Sequence, residues 1–427
     1  METIAIIGSG VSGLGCAHFL QHRYQLTLYE KARYIGGHTN TVVVQDEHAP
    51  VPIDTGFMTY NEVTYPNLSR LFRELGVASR SSSMSFSVQH LPARLEFSGS
   101  SLNHLFGQRR NLFKPEFWRM LLQIKRFNQE AAAAIDSARQ PAPAAPRPMS
   151  LGEYVRERNY GDHFLNYYLL PMSCAVWSSP PDRMLQFPAM TLLRFFHNHG
   201  FLGLHTQHPW RTVVGGARTY VDKLTAPFRD RIHLGRGAVC VRRGPERVAV
   251  TDEAGCRQHY DHVILACHAD QALALLRDAD SQERAVLGQF QYQHNTALLH
   301  TDVRVMPRTG RCWSSWNYRV DYDEQQRVAP STVYWINRLQ GIGSRRNYFV
   351  SINGEDTLAP ESVLQRIRYE HPLFNDAAIN AQAQLPNLNQ RRTGVYFCGS
   401  YFRYGFHEDA LTSALQLSRL LAEHVWH

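Results

Sequence analysis

The sequence predicts an α/β fold with one parallel sheet assembled from separated parts of the chain. A length of 427 residues allows two or three compact units, and 19% charged residues exclude a wholly disordered chain. A short apolar run opens the sequence and passes directly into a glycine-rich turn. Two further apolar runs, at 261–266 and 394–397, have the composition of buried strands. These observations predict strands that lie side by side although they are far apart in the chain.

The amino-terminal segment contains the most specific pattern. Thr3–Ile7 is predicted to be a strand, residues 14–21 a helix, and residues 25–29 a second strand that ends at Glu30. The turn between the first strand and the helix has the sequence Gly8-Ser9-Gly10-Val11-Ser12-Gly13. This order of strand, GxGxxG turn, helix, strand and acid predicts a Rossmann-type dinucleotide-binding site.

Each residue type in this pattern has a mechanical reason. Gly8 allows the tight turn, Gly10 allows a pyrophosphate to approach closely, and Gly13 lets the helix pack on the strand. The amides at the start of the helix face the phosphates. Glu30 is placed to accept a hydrogen bond from a ribose 2′-hydroxyl, and it would repel a 2′-phosphate. The pattern therefore disfavours NADP.

Further motifs follow in order along the chain. A second doublet lies in the run Gly36-Gly37-His38-Thr39, and residues 54–57 (DTGF), 213–216 (VVGG) and 407–414 (HEDALTSA) come after it. In these motifs and their order the chain resembles the flavin-dependent amine oxidase and phytoene desaturase superfamily. The resemblance implies noncovalent FAD and a two-domain fold, in which a Rossmann-type FAD-binding domain is interleaved with an α+β substrate domain.

The resemblance also implies which residues contact FAD. The second doublet would lie against the pyrophosphate, with His38 where relatives commonly carry arginine. Residues 55–57 would lie beside the isoalloxazine ring, and the Val239 backbone would bond adenine. The start of the last helix would point at the flavin pyrimidine, and Ser400 stands where many relatives carry an acid. The predicted cofactor contacts are Gly8, Ser9, Gly10, Val11, Ser12, Gly13, Glu30, Lys31, Gly36, Gly37, His38, Thr39, Thr55, Gly56, Phe57, Val239, Gly399, Ser400, Glu408, Asp409, Ala410 and Leu411.

Tyr404 and His407 are the predicted acid–base residues, because the closing motif places them near the flavin. Support of the helix start is an equal alternative for His407. Many amine oxidases of the superfamily keep a lysine that holds a water at the flavin N5 atom. None of the lysines of this chain lies in the later segments where that residue is expected, which argues against ordinary amine oxidation. The four lysines are Lys31, Lys114, Lys125 and Lys223.

Two long insertions are predicted to form the substrate domain. The predicted FAD-binding domain comprises residues 1–58, 206–290 and 386–427, and the predicted substrate domain comprises residues 59–205 and 291–385. Within the first insertion, residues 131–149 contain the run QPAPAAP and are predicted to be a flexible linker.

A basic, aromatic helix is predicted at 114–130, just before that linker. Phe113, Phe117, Met120, Leu121, Ile124 and Phe127 fall on one side of this helix, and Arg119, Gln123 and Arg126 fall on the other. A helix that buries its apolar side in the core and exposes a solvated basic back is the favoured interpretation. The alternative is contact of residues 109–127 with lipid headgroups at a membrane.

Other features limit the location and the partners. No apolar run is long enough to span a membrane, and no secretory signal is evident. Seven cysteines without a CxxC pair favour a reducing cytosol, so a cytoplasmic protein is expected, peripheral at most on the inner face of the membrane. His197, His199, His205 and His208 lack carboxylate or thiolate neighbours at ligand spacing, and no metal is expected. No nucleic-acid-binding module is evident.

The predicted activity is FAD-dependent dehydrogenation or isomerisation of an unsaturated or methylated fatty acyl chain by hydride transfer to flavin N5. A phospholipid is one predicted carrier of this chain. Residues 55–68, 313–318, 334–340 and 405–411 resemble a bacterial group associated with cyclopropane-type or methylated fatty acid formation. Aromatic residues would line a slot for the chain, namely Trp313, Trp316, Tyr334, Trp335, Tyr401, Phe402, Tyr404 and Phe406. An amine or protoporphyrinogen-type oxidase, and a non-catalytic flavin-binding partner of a lipid methyltransferase, remain alternatives.

Overall fold

Twenty strands and sixteen α-helices make up the part of the chain that the structure describes. The computed structural model describes residues 1–47, 49–137, 149–203, 206–323, 325, 327–422 and 425–426. The strands are β1 (Thr3–Ile7), β2 (Gln25–Glu30), β3 (Thr41–Gln45), β4 (Pro50–Asp54), β5 (Tyr60–Asn61), β6 (Ser79–Ser82), β7 (Phe86–His90), β8 (Leu95–Ser98), β9 (Trp210–Val213), β10 (Ile232–Leu234), β11 (Ala238–Arg243), β12 (Val248–Asp252), β13 (Arg257–Tyr260), β14 (His262–Leu265), β15 (Gln291–His300), β16 (Trp316–Tyr322), β17 (Val328–Trp335), β18 (Phe349–Ile352), β19 (Val363–Leu373) and β20 (Val395–Phe397).

Most of the helices are short, and several cover the sheets. They are α1 (Val11–Leu20), α2 (Pro66–Glu74), α3 (Leu102–Leu105), α4 (Pro115–Ser137), α5 (Leu151–Glu157), α6 (Asp162–Phe164), α7 (Leu170–Trp177), α8 (Pro181–Leu185), α9 (Ala189–Asn198), α10 (Arg218–Thr225), α11 (Ala269–Leu275), α12 (Ser281–Leu287), α13 (Ile336–Gln340), α14 (Asp376–Gln382), α15 (Leu385–Gln390) and α16 (His407–Leu421). Among the described residues, no helix is both long enough and apolar enough to cross a membrane.

A five-stranded parallel sheet forms the centre of the dinucleotide-binding part, with strand order β10-β2-β1-β14-β20. Its strands come from three separated stretches of the chain, as the sequence predicts. Both faces of β1 are buried, because Ile4 and Ile6 pack into one apolar cluster while Ala5 and Ile7 pack into another. This burial on both sides is typical of a parallel sheet covered by helices and other elements.

Helices α1 and α16 lie against each other on one face of this sheet. A Cβ atom on Gly15 of α1 would stand 2.9 Å from a methyl group of Leu411 in α16. The amino-terminal helix and the carboxyl-terminal helix therefore approach closely. Both begin at the same edge of the sheet, so their first turns can serve one site.

The second large sheet has seven strands in the order β19-β15-β18-β17-β16-β7-β8. All neighbours are antiparallel except β16 and β7, which run parallel. These strands lie within the two predicted insertions. The domain boundaries themselves stay predictions.

Two sequence predictions about the first insertion are wrong. Helix α4 continues to Ser137, so residues 131–137 are helical rather than part of a linker, and residues 138–148 lie outside the described part of the chain. Phe113 does not join the buried side of α4, because it belongs to a 3-10 turn, Arg109–Phe113, that precedes the helix, and its side chain is 86% exposed. The remaining stripe behaves as predicted at Phe117, Met120 and Phe127, which are buried.

Candidate cofactor-binding and active site

A cavity of about 1100 Å³ lies at the carboxyl ends of the parallel strands. Its wall includes Gly8, Lys31 and Ala266, which directly follow β1, β2 and β14, and Gly399, which lies two residues after β20. In open α/β sheets this edge is where ligands bind. A second part of the wall comes from β16, β17 and β19 of the seven-stranded sheet. The cavity therefore extends from the dinucleotide-binding part into the predicted substrate domain.

The turn after β1 has the backbone geometry that a bound diphosphate requires. Gly8 has a φ of +108°, and a Cβ atom there would stand 2.6 Å from the carbonyl oxygen of Ala266. A Cβ on Gly13 would stand 1.9 Å from the carbonyl oxygen of Gly8, so this glycine lets α1 pack on the strand. A Cβ on Gly10 would meet nothing within 4 Å, because Gly10 faces the cavity. No side chain caps α1 and no acid stands in its first turn, so its first amides are available to an anion.

Glu30 holds the turn in place and also borders the cavity. One carboxylate oxygen accepts hydrogen bonds from the backbone amide and the hydroxyl of Ser9, at 2.8 and 2.6 Å. The other accepts from the amide of Ala32 at 2.8 Å. Lys31 borders the cavity beside it, and Val239 lies at the same end. At this end the Glu30 carboxylate could bind a ribose hydroxyl, and the Val239 backbone could bind a base.

The second glycine doublet is joined to the turn after β1. The Gly36 amide donates to the carbonyl oxygen of Ser9 at 3.1 Å. His38, next to the doublet, stacks on Tyr369 with ring centroids 4.7 Å apart. Burial and three neighbouring histidines lower the pKa of His38 well below its usual value, so the imidazole is uncharged. Its Nε2 atom is buried without a hydrogen-bond partner among the described residues, and it is an unused polar atom in the cavity wall.

His407 is held firmly at the start of α16. Its Nε2 lies 2.8 Å from Oγ1 of Thr39, and its ring stacks on Phe57 at 3.9 Å between centroids. Burial lowers the pKa of His407 to about 3, so the ring is neutral. Tyr404 borders the cavity, and burial raises the pKa of its phenol. An acid–base role for either residue stays a prediction.

Five of the predicted cofactor contacts do not border the cavity. Gly13 is buried where α1 packs on Gly8 and Ala266, Leu411 is buried where α16 packs on α1, and Thr39 holds His407. Glu408 accepts hydrogen bonds from the backbone amides of Asn67 and Leu68, and Asp409 accepts from the amide of Phe406. Glu408 therefore caps a different helix, α2, and Asp409 caps its own helix. The predicted residues that do border the cavity are Gly8, Ser9, Gly10, Val11, Ser12, Glu30, Lys31, Gly36, Gly37, His38, Thr55, Gly56, Phe57, Val239, Gly399, Ser400, Tyr404, His407 and Ala410.

An apolar chamber forms the end of the cavity away from Glu30. Of the predicted slot residues, Trp313, Trp335 and Phe402 do not border the cavity, and the first two pack against each other. Tyr401 and Tyr404 border the cavity outside this chamber. Methionines and aromatics that sequence reasoning missed complete the walls. The chamber is lined by Met84, Phe86, Met172, Val176, Trp177, Phe195, Phe201, Trp210, Trp316, Tyr334, Ile352 and Phe406.

His371, which sequence reasoning also missed, lies on the cavity wall at the end of a hydrogen-bonded relay. The backbone amide of Thr296 donates to Oδ1 of Asn353, so the amide nitrogen of Asn353 must be the group that donates to Oδ1 of Asn295. Asn295 in turn donates from Nδ2 to Nδ1 of His371 at 2.8 Å and to the carbonyl oxygen of Ser178 at 3.0 Å. Because Nδ1 accepts, the proton of the neutral ring is on Nε2.

Burial, with a smaller contribution from His268, lowers the pKa of His371 to about 4. The ring is thus a neutral donor at physiological pH. Two asparagines and a histidine that are scattered along the chain form no motif, so no sequence signal pointed to this group.

A family profile identifies the chain. The profile described as flavin containing amine oxidoreductase matches residues 11–354. The chain belongs to this family. It is an FAD-dependent oxidoreductase. No curated protein sequence is similar enough to the chain to count as a match.

Solved flavoprotein structures share the fold of this chain. A redesigned putrescine oxidase has a TM-score of 0.67 at 14% identity, with 98% of each chain covered. A putative protoporphyrinogen oxidase from Exiguobacterium sp. 255-15 has the same TM-score at 15% identity and the same coverage. A fatty acid isomerase from P. acnes that produces CLA has a TM-score of 0.66 at 13% identity, with 99% and 98% covered. At these identities the likeness concerns the fold.

The residues of the cavity fit FAD. The open space over Gly10 and the uncapped amides of α1 would receive the pyrophosphate, and Glu30 would receive the adenosine ribose. The unpaired Nε2 of His38 faces the same cavity. Since His38 is uncharged, it brings no positive charge to the diphosphate.

Proposed function

We propose that this FAD-dependent oxidoreductase dehydrogenates or isomerises an unsaturated or methylated fatty acyl chain carried on a phospholipid. FAD, when bound, takes two electrons from a carbon–hydrogen bond of the substrate. The resemblance of four segments to the bacterial group associated with cyclopropane-type or methylated fatty acids supports this choice of substrate.

The observation that carries the proposal is that few carboxylates border the cavity and that those which do are already hydrogen-bonded. Among the described residues, the carboxylates that border the whole cavity are Glu30 and Glu370, and neither is in the chamber. Glu30 holds the turn after β1, and Glu370 is bonded to His268 and Gln271. A protonated amine would find no counter-ion among the chamber residues, and burying an unpaired ammonium group is costly. An acyl chain has no charge to compensate.

The positions of the lysines also argue against an amine substrate. Lys31 borders the cavity at the nucleoside end, and the ammonium group of Lys223 is bonded to the carbonyl oxygens of Leu75 and Gly76. Lys114 and Lys125 lie at or on α4. The group that many amine oxidases use near flavin N5 therefore has no lysine counterpart in the chamber of this chain.

The chain's own residues have three roles in the proposed reaction. The aromatic walls bind the acyl chain and exclude water. His371 holds a proton on Nε2 at the edge of the cavity, where it can donate a hydrogen bond. Tyr404 and His407 remain the predicted acid–base residues, with His407 restrained by Thr39 and Phe57.

Anaerobic bleaching of the FAD absorption tests the substrate class. FAD-loaded protein is mixed with phospholipids that carry unsaturated, methylated or cyclopropane acyl chains, and in parallel with putrescine and with protoporphyrinogen. We expect bleaching or a changed double bond in the recovered lipid, detected by mass spectrometry, with the phospholipids alone. Bleaching with putrescine or protoporphyrinogen, and not with lipid, contradicts the proposal. No change with any compound favours a flavin-binding partner of a lipid methyltransferase.

A matched pair of variants tests the chamber. Met172 lines it, whereas Met190 on α9 is similarly half-buried and does not border the cavity. Met172→Trp should reduce the space for a chain and slow turnover of long acyl chains at least about tenfold, the scale of a lost near-attack geometry. Met190→Trp should leave the turnover of long acyl chains within about twofold of the wild-type value. Equal effects of the two substitutions would count against the chamber as the substrate site.

A further inference from the structure

A patch of exposed apolar and basic side chains lies on the surface formed by α3, the 3-10 turn Arg109–Phe113 and the first turns of α4. We call it the basic-apolar patch. Its apolar members include Leu102, Phe113 and Leu122, which are 76%, 86% and 66% exposed. The patch consists of Leu102, Leu112, Phe113, Trp118 and Leu122 together with Arg109, Arg110, Lys114, Arg119 and Lys125.

Hydrogen bonds hold the parts of the patch together. The indole of Trp118 donates to the carbonyl oxygen of Leu112 at 2.9 Å, which fixes α4 against the 3-10 turn. Arg109 donates to Asn103 at 2.6 Å and to the carbonyl oxygen of Phe106 at 3.0 Å, which ties the turn to α3. Leu122 follows Trp118 by one helical turn and lies on the same side of α4. The exposed apolar groups are thus displayed by an ordered surface.

The exposed groups are not needed for the core. Helix α4 already buries Phe117 and Met120 on its other side, where the Phe117 ring lies 5.5 Å from Phe97 and 5.7 Å from Phe106. Among the described residues, Phe113 and Trp118 are the phenylalanine and tryptophan with large exposure. A helix that packs on one side and shows large apolar groups on the other has an unused binding face.

The positive charge of the patch indicates which kind of partner binds this face. Between residues 102 and 125 the sequence has five lysines and arginines and one acid, Glu116. In a two-fold dimer through the patch, this basic surface would meet its own copy, and like charges would oppose each other. An anionic bilayer instead offers negative headgroups to the basic residues and an acyl layer to the apolar ones.

We propose that the basic-apolar patch docks the protein on the surface of a bilayer that contains anionic phospholipid. Phe113 and Leu122 enter the boundary between headgroups and acyl chains, while Lys114, Arg119 and Lys125 bind headgroup phosphates. The apolar cluster beneath α4 also contacts Phe86, which lines the chamber. The docking surface and the chamber are therefore neighbours in the fold. The proposal concerns the surface and does not depend on the acyl-chain substrate proposed above.

Vesicle sedimentation with the FAD-loaded full-length protein tests the proposal. The probes are vesicles of phosphatidylcholine alone and of phosphatidylcholine mixed with phosphatidylglycerol. We expect binding to the mixed vesicles that weakens as salt is raised, and little binding to phosphatidylcholine alone. Phe113→Ser with Leu122→Ser should weaken binding at least about tenfold, because two apolar side chains no longer leave water. Arg119→Gln with Lys125→Gln, which leaves the hydrogen bonds of Arg109 and Arg110 in place, should weaken binding by about fivefold for each charge removed.

Val63→Ser with Val328→Ser is the matched control, because these side chains are 60% and 59% exposed and lie outside the patch. The control should bind vesicles as the wild type does, and every variant should keep its flavin spectrum. Failure of the wild type to bind mixed vesicles overturns the proposal, as does an equal loss in the control. A self-association that Phe113→Ser abolishes, without lipid binding, would assign the patch to a second copy of the chain instead. Substrate turnover is not part of this readout, so the outcome is independent of the proposed function.

Discussion

Two glycines in one turn should respond to the same substitution in opposite ways. A Cβ on Gly10 enters open space at the cavity, whereas a Cβ on Gly13 stands 1.9 Å from the carbonyl oxygen of Gly8. Gly10 has φ −66° and ψ 174°, which alanine adopts without strain. Gly10→Ala should therefore leave the FAD-free protein as stable as the wild type or more stable by about 0.4–1 kcal/mol. Gly13→Ala should lower the free energy of unfolding by about 1–3 kcal/mol.

For FAD affinity, Gly10→Ala should be the more damaging of the two substitutions. The new methyl group at Gly10 occupies the space through which the pyrophosphate reaches the α1 amides. Loss of one charge-assisted hydrogen bond costs about 1.5–3 kcal/mol, so the Kd for FAD should rise about 10- to 150-fold. FAD titration of the apoprotein by fluorescence quenching measures the Kd, and urea unfolding of the same preparations measures stability. A wild-type Kd for Gly10→Ala, or equal destabilisation by both substitutions, would refute this assignment of the turn.

Three further predictions concern buried polar groups. Glu408→Ala should lower the free energy of unfolding by about 2–4 kcal/mol in urea, because two amides at the start of α2 lose their acceptor, whereas Glu74→Ala at an exposed pair should change it by less than about 0.5 kcal/mol. The folded-state pKa values of His371 and His407 lie below the unfolded value, so the stability that they contribute is present above pH 6.5 and is lost as the pH falls through about 4 and 3. In urea unfolding of the apoprotein, the free energy of unfolding should fall by up to about 1.4 kcal/mol per pH unit for each ring. His371→Gln should make this dependence on pH less steep. Asn295→Asp should raise the pKa of His371, because a carboxylate accepts from Nδ1–H, and an NMR titration of the ring that shows no rise would contradict the relay.

The dinucleotide turn could be predicted from the sequence because its requirements are local. Gly8 and Gly13 each meet a steric limit set by atoms of the turn or of the strand beside it, whereas Gly10 opens on the cavity. Phe113 shows where local reasoning fails. Helical periodicity placed it on the buried side of α4, but the helix begins two residues later, at Pro115, and the 3-10 turn before it follows a different period.

The relay to His371 could not be predicted because strand register creates it. Asn295 lies opposite Tyr369 in the pairing of β15 with β19, and Asn353 follows the end of β18. The groups meet only once three strands from the second half of the chain have paired. Glu408 is a similar case, because its partners at the start of α2 precede it by more than 300 residues. Such long-range contacts have no sequence period.

The uncharged side chain of His38 limits how this site can hold a diphosphate. Burial among other histidines keeps the imidazole uncharged, and its ring is stacked on Tyr369. His38 therefore adds no favourable charge for the diphosphate, whereas α1 does, because its amino-terminal amides are uncapped and no acid stands in its first turn. A site that relies on amides tolerates little displacement of its ligand, since hydrogen bonds to fixed donors weaken steeply with distance and angle. Binding of FAD should therefore depend on the bare backbone of Gly10 more strongly than on the side chain at position 38.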